Sequence, residues 1–136
     1  MLSLLPLDDQ LNRLFYIDGS VCRLVYAAPL GRCVLRPEVR HIGFDHAVSL
    51  IASGDLLWNP PDEFERLDSD TPLEAVQQEC ALLSAFLRSP AGHRITSWKT
   101  RRWLERRLQD GRDWAARRML AHDDVDDSGD QGRHQA

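Results

Sequence analysis

Leu14-Phe-Tyr-Ile17 and Val21-Cys-Arg-Leu-Val-Tyr-Ala27 are short runs rich in β-branched and aromatic residues, the pattern of half-buried strands. Between them stands Asp18-Gly19, a pair that readily takes the left-handed conformations of a tight hairpin turn. Centring the turn there places Phe15 opposite Cys22. Alternation then puts Phe15, Cys22, Leu24 and Tyr26 on one face and Arg23 on the other. Ala28-Pro-Leu-Gly31 predicts a second turn, Cys33-Val-Leu-Arg36 a third strand, and Val39 to Phe44 a fourth, set off by Pro37. Asp45 to Ser53 predicts a short helix, with Asp45 as N-cap, Gly54 as the C′ stop and Ala47, Val48, Leu50 and Ile51 as its apolar stripe. Leu56-Leu-Trp58 returns as a last strand before Asn59-Pro-Pro61 halts it.

The pattern changes after residue 61. Residues 62–70 carry no periodicity and predict a linker. Thr71-Pro-Leu-Glu74 then has the composition of a capping box with proline in the first turn. Val76, Cys80, Leu83 and Leu87 follow at helical spacing, and Ser89-Pro-Ala-Gly92 ends that helix. A second helix begins at Thr96 or Ser97 and runs to Asp110 with Gly111 as its stop; a third spans Asp113 to Ala121. The predicted fold class is α+β: a small antiparallel meander or partly closed barrel with a short helix, followed by two or three helices. The predicted organisation is a β-rich module over 1–61, an acidic linker over 62–70, a helix-turn-helix-like module over 71–121 and a disordered acidic tail over 122–136.

Composition narrows this picture. With 136 residues, 43% hydrophobic and 28% charged, the chain suits one globular domain or two very small modules sharing a core. No apolar run approaches the roughly 18 residues of a membrane span, and Met1-Leu-Ser-Leu-Leu-Pro6 is too short for a secretory signal. Three cysteines, Cys22, Cys33 and Cys80, form an odd set that fits a reducing, cytoplasmic interior better than a disulfide framework.

Charge is more informative in its distribution than in its sum of −4. Residues 62–79 hold seven acids against Arg66, a local −6, whereas residues 94–118 hold nine bases against Glu105, Asp110 and Asp113, a local +6. One reading is a set of solvated helical faces. The sharper one is a basic recognition surface beside an acidic linker.

Catalytic and metal chemistry find little support in the spacing. His41 and His46, or Cys22 and Cys33, form neither C-x-x-C nor H-E-x-x-H, and the cysteines read as small core hydrophobes. There is no nucleophile elbow, Walker loop or dinucleotide fingerprint. The abundant carboxylates of 62–70 lie in a predicted linker, a poor frame for a catalytic pair. The chain is therefore expected to be non-catalytic and to need no cofactor.

What remains is Arg94-Ile-Thr-Ser-Trp-Lys-Thr-Arg-Arg-Trp-Leu-Glu-Arg-Arg107. At helical spacing Thr100, Trp103, Leu104 and Leu108 line an inward face, while Lys99, Arg102 and Arg106 form a stripe elsewhere, with Arg101 beside it. Ser97 at the helix start leaves amide donors for a phosphate. The expected DNA-binding residues are Arg94, Ser97, Lys99, Arg101, Arg102 and Arg106, as a basic helix docking in a major groove requires. The competing account is an ordinary amphipathic helix whose arginines lie over Trp98 and Trp103.

Phe15-Tyr-Ile-Asp-Gly19, Cys22-Arg-Leu-Val25 and the stretch Leu50 to Leu56, followed by Ser97, Thr100, Arg102-Trp103 and Gly111, together resemble the N-terminal DNA-binding region of Mu-family DDE transposases. The resemblance spans residues 14–111. It implies a small β-rich module followed by a helix-turn-helix portion that contacts double-stranded DNA. No ribonuclease-H-like catalytic segment fits in this length, so the resemblance implies a detached accessory or regulatory module of transposition that does not cut DNA. The alternative expectation is a protein-interaction module, a phage or mobile-element factor docking on a host complex through its polarised charged faces.

Overall fold

The computed structural model describes residues 10–39 and 41–134, with side chains to Ala121. The architecture is α+β. β1 (Leu14–Ile17), β2 (Ser20–Ala27) and β3 (Arg32–Val39) form an open antiparallel sheet in the order β1-β2-β3. Four helices follow among the described residues: α1 (Phe44–Ser53), α2 (Leu73–Arg88), the one-turn α3 (Pro90–His93) and the long α4 (Trp98–His134).

The β1–β2 hairpin has the register its turn dictates. Asp18 and Gly19 take φ of +50° and +82°, Ile17 pairs with Ser20, and Phe15 lies opposite Cys22. The face assignment holds in part: Phe15 and Leu24 pack into the core, whereas Tyr26, farther along β2, is exposed. Pro37 lies inside β3 rather than at its end, opposite Cys22, with an irregularity at Val21/Cys22. β3 is an edge strand, so a residue without an N–H is tolerated there.

Two predicted strands are not formed as such. Val39 closes β3, residues 41–43 carry no strand, and position 40 lies outside the described residues. Leu57 makes only an isolated parallel bridge to Phe15: its N–H donates to the Leu14 carbonyl at 2.8 Å, and its carbonyl accepts from the Tyr16 N–H at 2.8 Å. The sheet is thus a meander with one added bridge, not a barrel.

α1 ends at Gly54 as its composition predicts, with φ +91° and the Gly54 N–H on the Ile51 and Leu50 carbonyls. Its N-cap is Gly43, while Asp45 sits in the first turn, where it favours the positive end of the helix. The capping box expected at Thr71 is replaced by another arrangement. Thr71 Oγ1 accepts from the Asp68 N–H at 3.0 Å, and Pro72 occupies the cap position of α2. Ser89 does the work of two caps. Its hydroxyl donates to the Phe86 carbonyl at 2.6 Å, closing α2, and accepts from the Gly92 N–H at 3.1 Å, opening α3. A Cβ at Gly92 would land on the Phe86 carbonyl oxygen, so only glycine allows the chain to turn back this tightly.

The largest departure is at Gly111, which continues α4 instead of stopping it. The predicted helices 97–110 and 113–121 are one. Tertiary packing explains the choice: Gly111 is buried against α2, where an added Cβ would stand 2.8 Å from Cys80 Sγ and 3.6 Å from Val76 Cγ1. Gly111→Ala accordingly sets a propensity gain of about 1 kcal/mol against overpacking of about 1–3 kcal/mol. In a Cys80→Ala background the overpacking disappears and the same substitution stabilises. Denaturant midpoints over the double-mutant cycle measure this; a coupling below about 0.5 kcal/mol would mean the two helices do not touch at this point. The expected disordered tail, 122–136, lies outside the residues whose side chains are described.

Both halves of the chain contribute to the same core. Phe15 and Leu57 pack with Leu83, Phe86, Leu87, Leu104 and Leu108, while Val21, Ala47, Ile51 and Leu56 pack with Ala85. The boundary near residue 61 separates segments of sequence within one packed unit. Among the described residues no helix is long and apolar enough to cross a membrane.

Candidate nucleic-acid interface

α4 owes its orientation to one narrow stripe. Leu104, Leu108, Gly111 and Ala115 recur at three- and four-residue spacing and are all buried against α2 and its neighbours. This stripe fixes the directions of every charged residue around the helix.

On one flank the cations are engaged. The Arg107 side chain is only 13% exposed and forks onto Glu79, with Nε to Oε2 at 2.7 Å and Nη2 to Oε1 at 3.2 Å. Its Nη1 donates to the Glu65 carbonyl at 2.8 Å, and its guanidinium lies 4.9 Å from the centre of the Phe64 ring. Arg118 donates to the Ser69 carbonyl at 2.9 Å and covers the Trp114 ring. The acidic segment is therefore strapped along α4, largely through backbone carbonyls and Phe64. Sequence reasoning missed this because Phe64 is a lone aromatic with no period; its one signal was an apolar ring amid so many acids.

Trp103 belongs to the same strap. It was expected to face inward, but it is 37% exposed and packs on Phe64, with ring centres 4.7 Å apart and planes tilted by 37°. It sits to one side of the Leu104–Leu108 stripe, so Leu104 occupies the interior position that the pattern had shared between them.

The six expected DNA-binding residues divide into three groups. Arg101 is occupied within the fold: its Nη1 donates to the Gly92 carbonyl at 2.9 Å, Nη2 to the Leu87 carbonyl at 3.5 Å, and Glu105 lies 3.6 Å away. It adds donors to carbonyls at the ends of α2 and α3, where the Gly92 carbonyl also accepts from the Ile95 N–H at 3.3 Å. Ser97 caps α4, its Oγ accepting from the Thr100 N–H at 3.3 Å. The Trp98 and Lys99 amides belong to the first turn, where N–H groups have no intrahelical acceptors. Lys99, Arg102 and Arg106 are all exposed and line one cleft with Trp98 and Trp103. Among the described residues no side-chain hydrogen bond or ion pair engages these three, or Arg94. Arg94 lines a separate cleft with Arg13, Asp55 and Ser89. The structure thus brings three of the six together as an open cationic stripe, with Ser97 at its head.

Farther along the helix Asp110 and Asp113 are exposed, and Gln109 Nε2 donates to Asp113 at 2.9 Å. Arg112 and Arg117 are exposed there as well, so positive charge continues along α4 but is interleaved with these carboxylates.

Among the described residues no three His, Cys, Asp or Glu side chains converge to hold a metal ion. Cys80 is half-buried beneath α4, and burial, reinforced by the Glu79 charge, pushes its thiol pKa up. A raised pKa keeps the thiol protonated near neutral pH and makes it a weak nucleophile. No family model, curated protein or solved structure matches this chain.

Proposed function

We propose that this protein is a non-catalytic DNA-binding accessory or regulatory factor of mobile-element type, acting in the cytoplasm and docking the first turns of α4 on DNA. The single observation that carries the reading is the state of Lys99, Arg102 and Arg106. They lie exposed on one cleft-lined face and have no partner among the described residues, while the flanking Arg107 and Arg101 are held by the fold. Among the described residues the ion pairs of α4 engage Arg101 and Arg107 and none of these three, although Asp62 of the strap lines a neighbouring hollow with Lys99, Thr100 and Trp103. Lys99 acts as a point charge on phosphate, and Arg102 and Arg106 have the planar forks that suit phosphate oxygens or guanine edges. The likeness of residues 14–111 to the leading region of Mu-family transposases points the same way.

Affinity for a blunt duplex across a salt series tests the reading. Wild-type protein is expected to show a clear linear loss of log K with log salt, because each neutralised phosphate releases counterions. Arg102→Ala with Arg106→Ala lowers the magnitude of that slope by about 2 without changing the melting temperature, since about one unit is lost per phosphate contact. A wild-type slope near zero, or no binding at low salt, would remove DNA as the partner. It would leave the charged faces to a protein, and a partner retained from nuclease-treated lysate would then support the protein-interaction reading.

A further inference from the structure

Trp98 is the first residue of α4 and is 67% exposed. A tryptophan side chain carries about 150–250 Å² of largely apolar surface, so leaving most of it wet is unfavourable unless something covers it. Among the described residues no ring stacks on Trp98, in contrast to Trp58 on Phe86 and Trp103 on Phe64. The surroundings are equally specific. Trp98, Lys99, Arg102, Trp103 and Arg106 are the residues that line one shallow cleft of about 210 Å³. Its lining thus combines a tryptophan braced by Phe64, an indole with no ring against it among the described residues, and three cations.

We infer that this cleft takes an unpaired nucleotide of DNA, its base stacked on the Trp98 indole and its flanking phosphates on Lys99, Arg102 and Arg106. The inference rests on the DNA-binding reading and narrows it from duplex in general to DNA presenting a single-stranded segment or end. Inside an intact duplex each base covers the π faces of its neighbours and offers only its edges to the grooves. An indole brought to such a surface meets phosphates and edges and stays wet. An unpaired base offers a free π face, and every base has one, which is why aromatic side chains interleaved with cations recur in single-strand binders. An acidic peptide would satisfy the cations but would cover the indole only where it also carried a suitably spaced ring. Every nucleotide supplies both a phosphate and a flat π face, so the combination favours a nucleotide.

Three DNA probes separate the outcomes: a single strand of about 12 nucleotides, within the range one such site covers; a blunt duplex of the same sequence; and that duplex with an unpaired overhang. Intrinsic tryptophan emission and a labelled-DNA titration are followed together. Wild-type protein is expected to bind the strand and the overhang about tenfold more tightly than the blunt duplex, the order of effect of one stacked base, with quenching of the indole emission. Trp98→Ala abolishes the preference and reduces the quench while leaving blunt-duplex affinity within about twofold; Trp98→Phe, which keeps a ring, retains part of the preference. Because Trp98 is exposed, neither variant should alter folding. Equal affinity for all three probes, unchanged by Trp98→Ala, would overturn the stacking inference and leave the duplex reading standing. Failure to bind any probe at low salt would overturn both.

Discussion

Leu104→Ala is expected to lower stability by about 2–5 kcal/mol, read as a shift of the denaturant midpoint at unchanged slope. Leu104 is 0% exposed and joins the core formed by Phe15 and Leu57 from the first half of the chain with Leu83, Phe86 and Leu87 from α2. Removing its isobutyl group deletes transfer free energy and leaves a void whose walls come from both halves, so neither can relax into it independently. The loss should therefore appear as one cooperative transition. Separate unfolding of a β module and a helical module would show instead that the shared core contributes little. A loss below about 1 kcal/mol would contradict the burial of Leu104 itself.

Arg107→Ala is expected to cost about 3 kcal/mol, because it strands the Glu79 carboxylate in a largely enclosed site and releases the Glu65 carbonyl and the Phe64 ring together. Arg107→Lys recovers little: an ammonium cannot fork across both Glu79 oxygens while also reaching Glu65. The same substitution should make residues 62–70 faster in amide hydrogen exchange and more open to proteolysis, since Arg107 and Phe64 hold that strap on α4. If exchange in 62–70 matches wild type, the segment is held by other contacts. A loss under about 1 kcal/mol would place Arg107 among the exposed ion pairs, which contribute little.

The two predictions bear on function through charge. Releasing residues 62–70 frees five nearby carboxylates, Asp62, Glu63, Glu65, Asp68 and Asp70, to wander close to the cationic stripe. In the folded arrangement Arg107 and Arg118 hold that segment along α4, with Asp62 near Lys99 and Trp103, while Lys99, Arg102 and Arg106 stay exposed. The strap therefore has an electrostatic role beside its structural one: it fixes where negative charge is.

How much was legible in advance follows the range of the interactions involved. The hairpin at Asp18-Gly19 and the stop at Gly54 depend on backbone preferences of one or two residues, and the structure has both where the sequence places them. The apolar period of α2 and the α+β class rest on patterns repeated over many residues and were equally readable. Gly111 was misread because local preference and tertiary packing disagree there. A glycine followed by Arg112 and Asp113 has the look of a helix end, but the Cys80 side chain of α2 comes so close that a Cβ there would crowd it, and the helix continues through the glycine. Trp103 and Leu104 illustrate the same limit for side chains. Adjacent apolar residues on a helix diverge by about 100°, and periodicity alone does not choose between them when both are large.

The candidate site divides in the same way. That residues 94–118 are basic, and that Lys99, Arg102 and Arg106 share a helical face, follows from spacing alone, because the α-helix fixes those angles whatever surrounds it. Which cations are spent within the fold depends on where distant carbonyls and carboxylates come to rest. Arg101 turns to Gly92 and Leu87, and Arg107 reaches Glu79 and Glu65. Those partners are brought near by the packing of α2 and the strap rather than by sequence proximity. The chain by itself determined the elements, the class and the cationic stripe, all set by local geometry. Only the tertiary structure decided which arginines are free and which tryptophan is left open, since that depends on what each side chain meets.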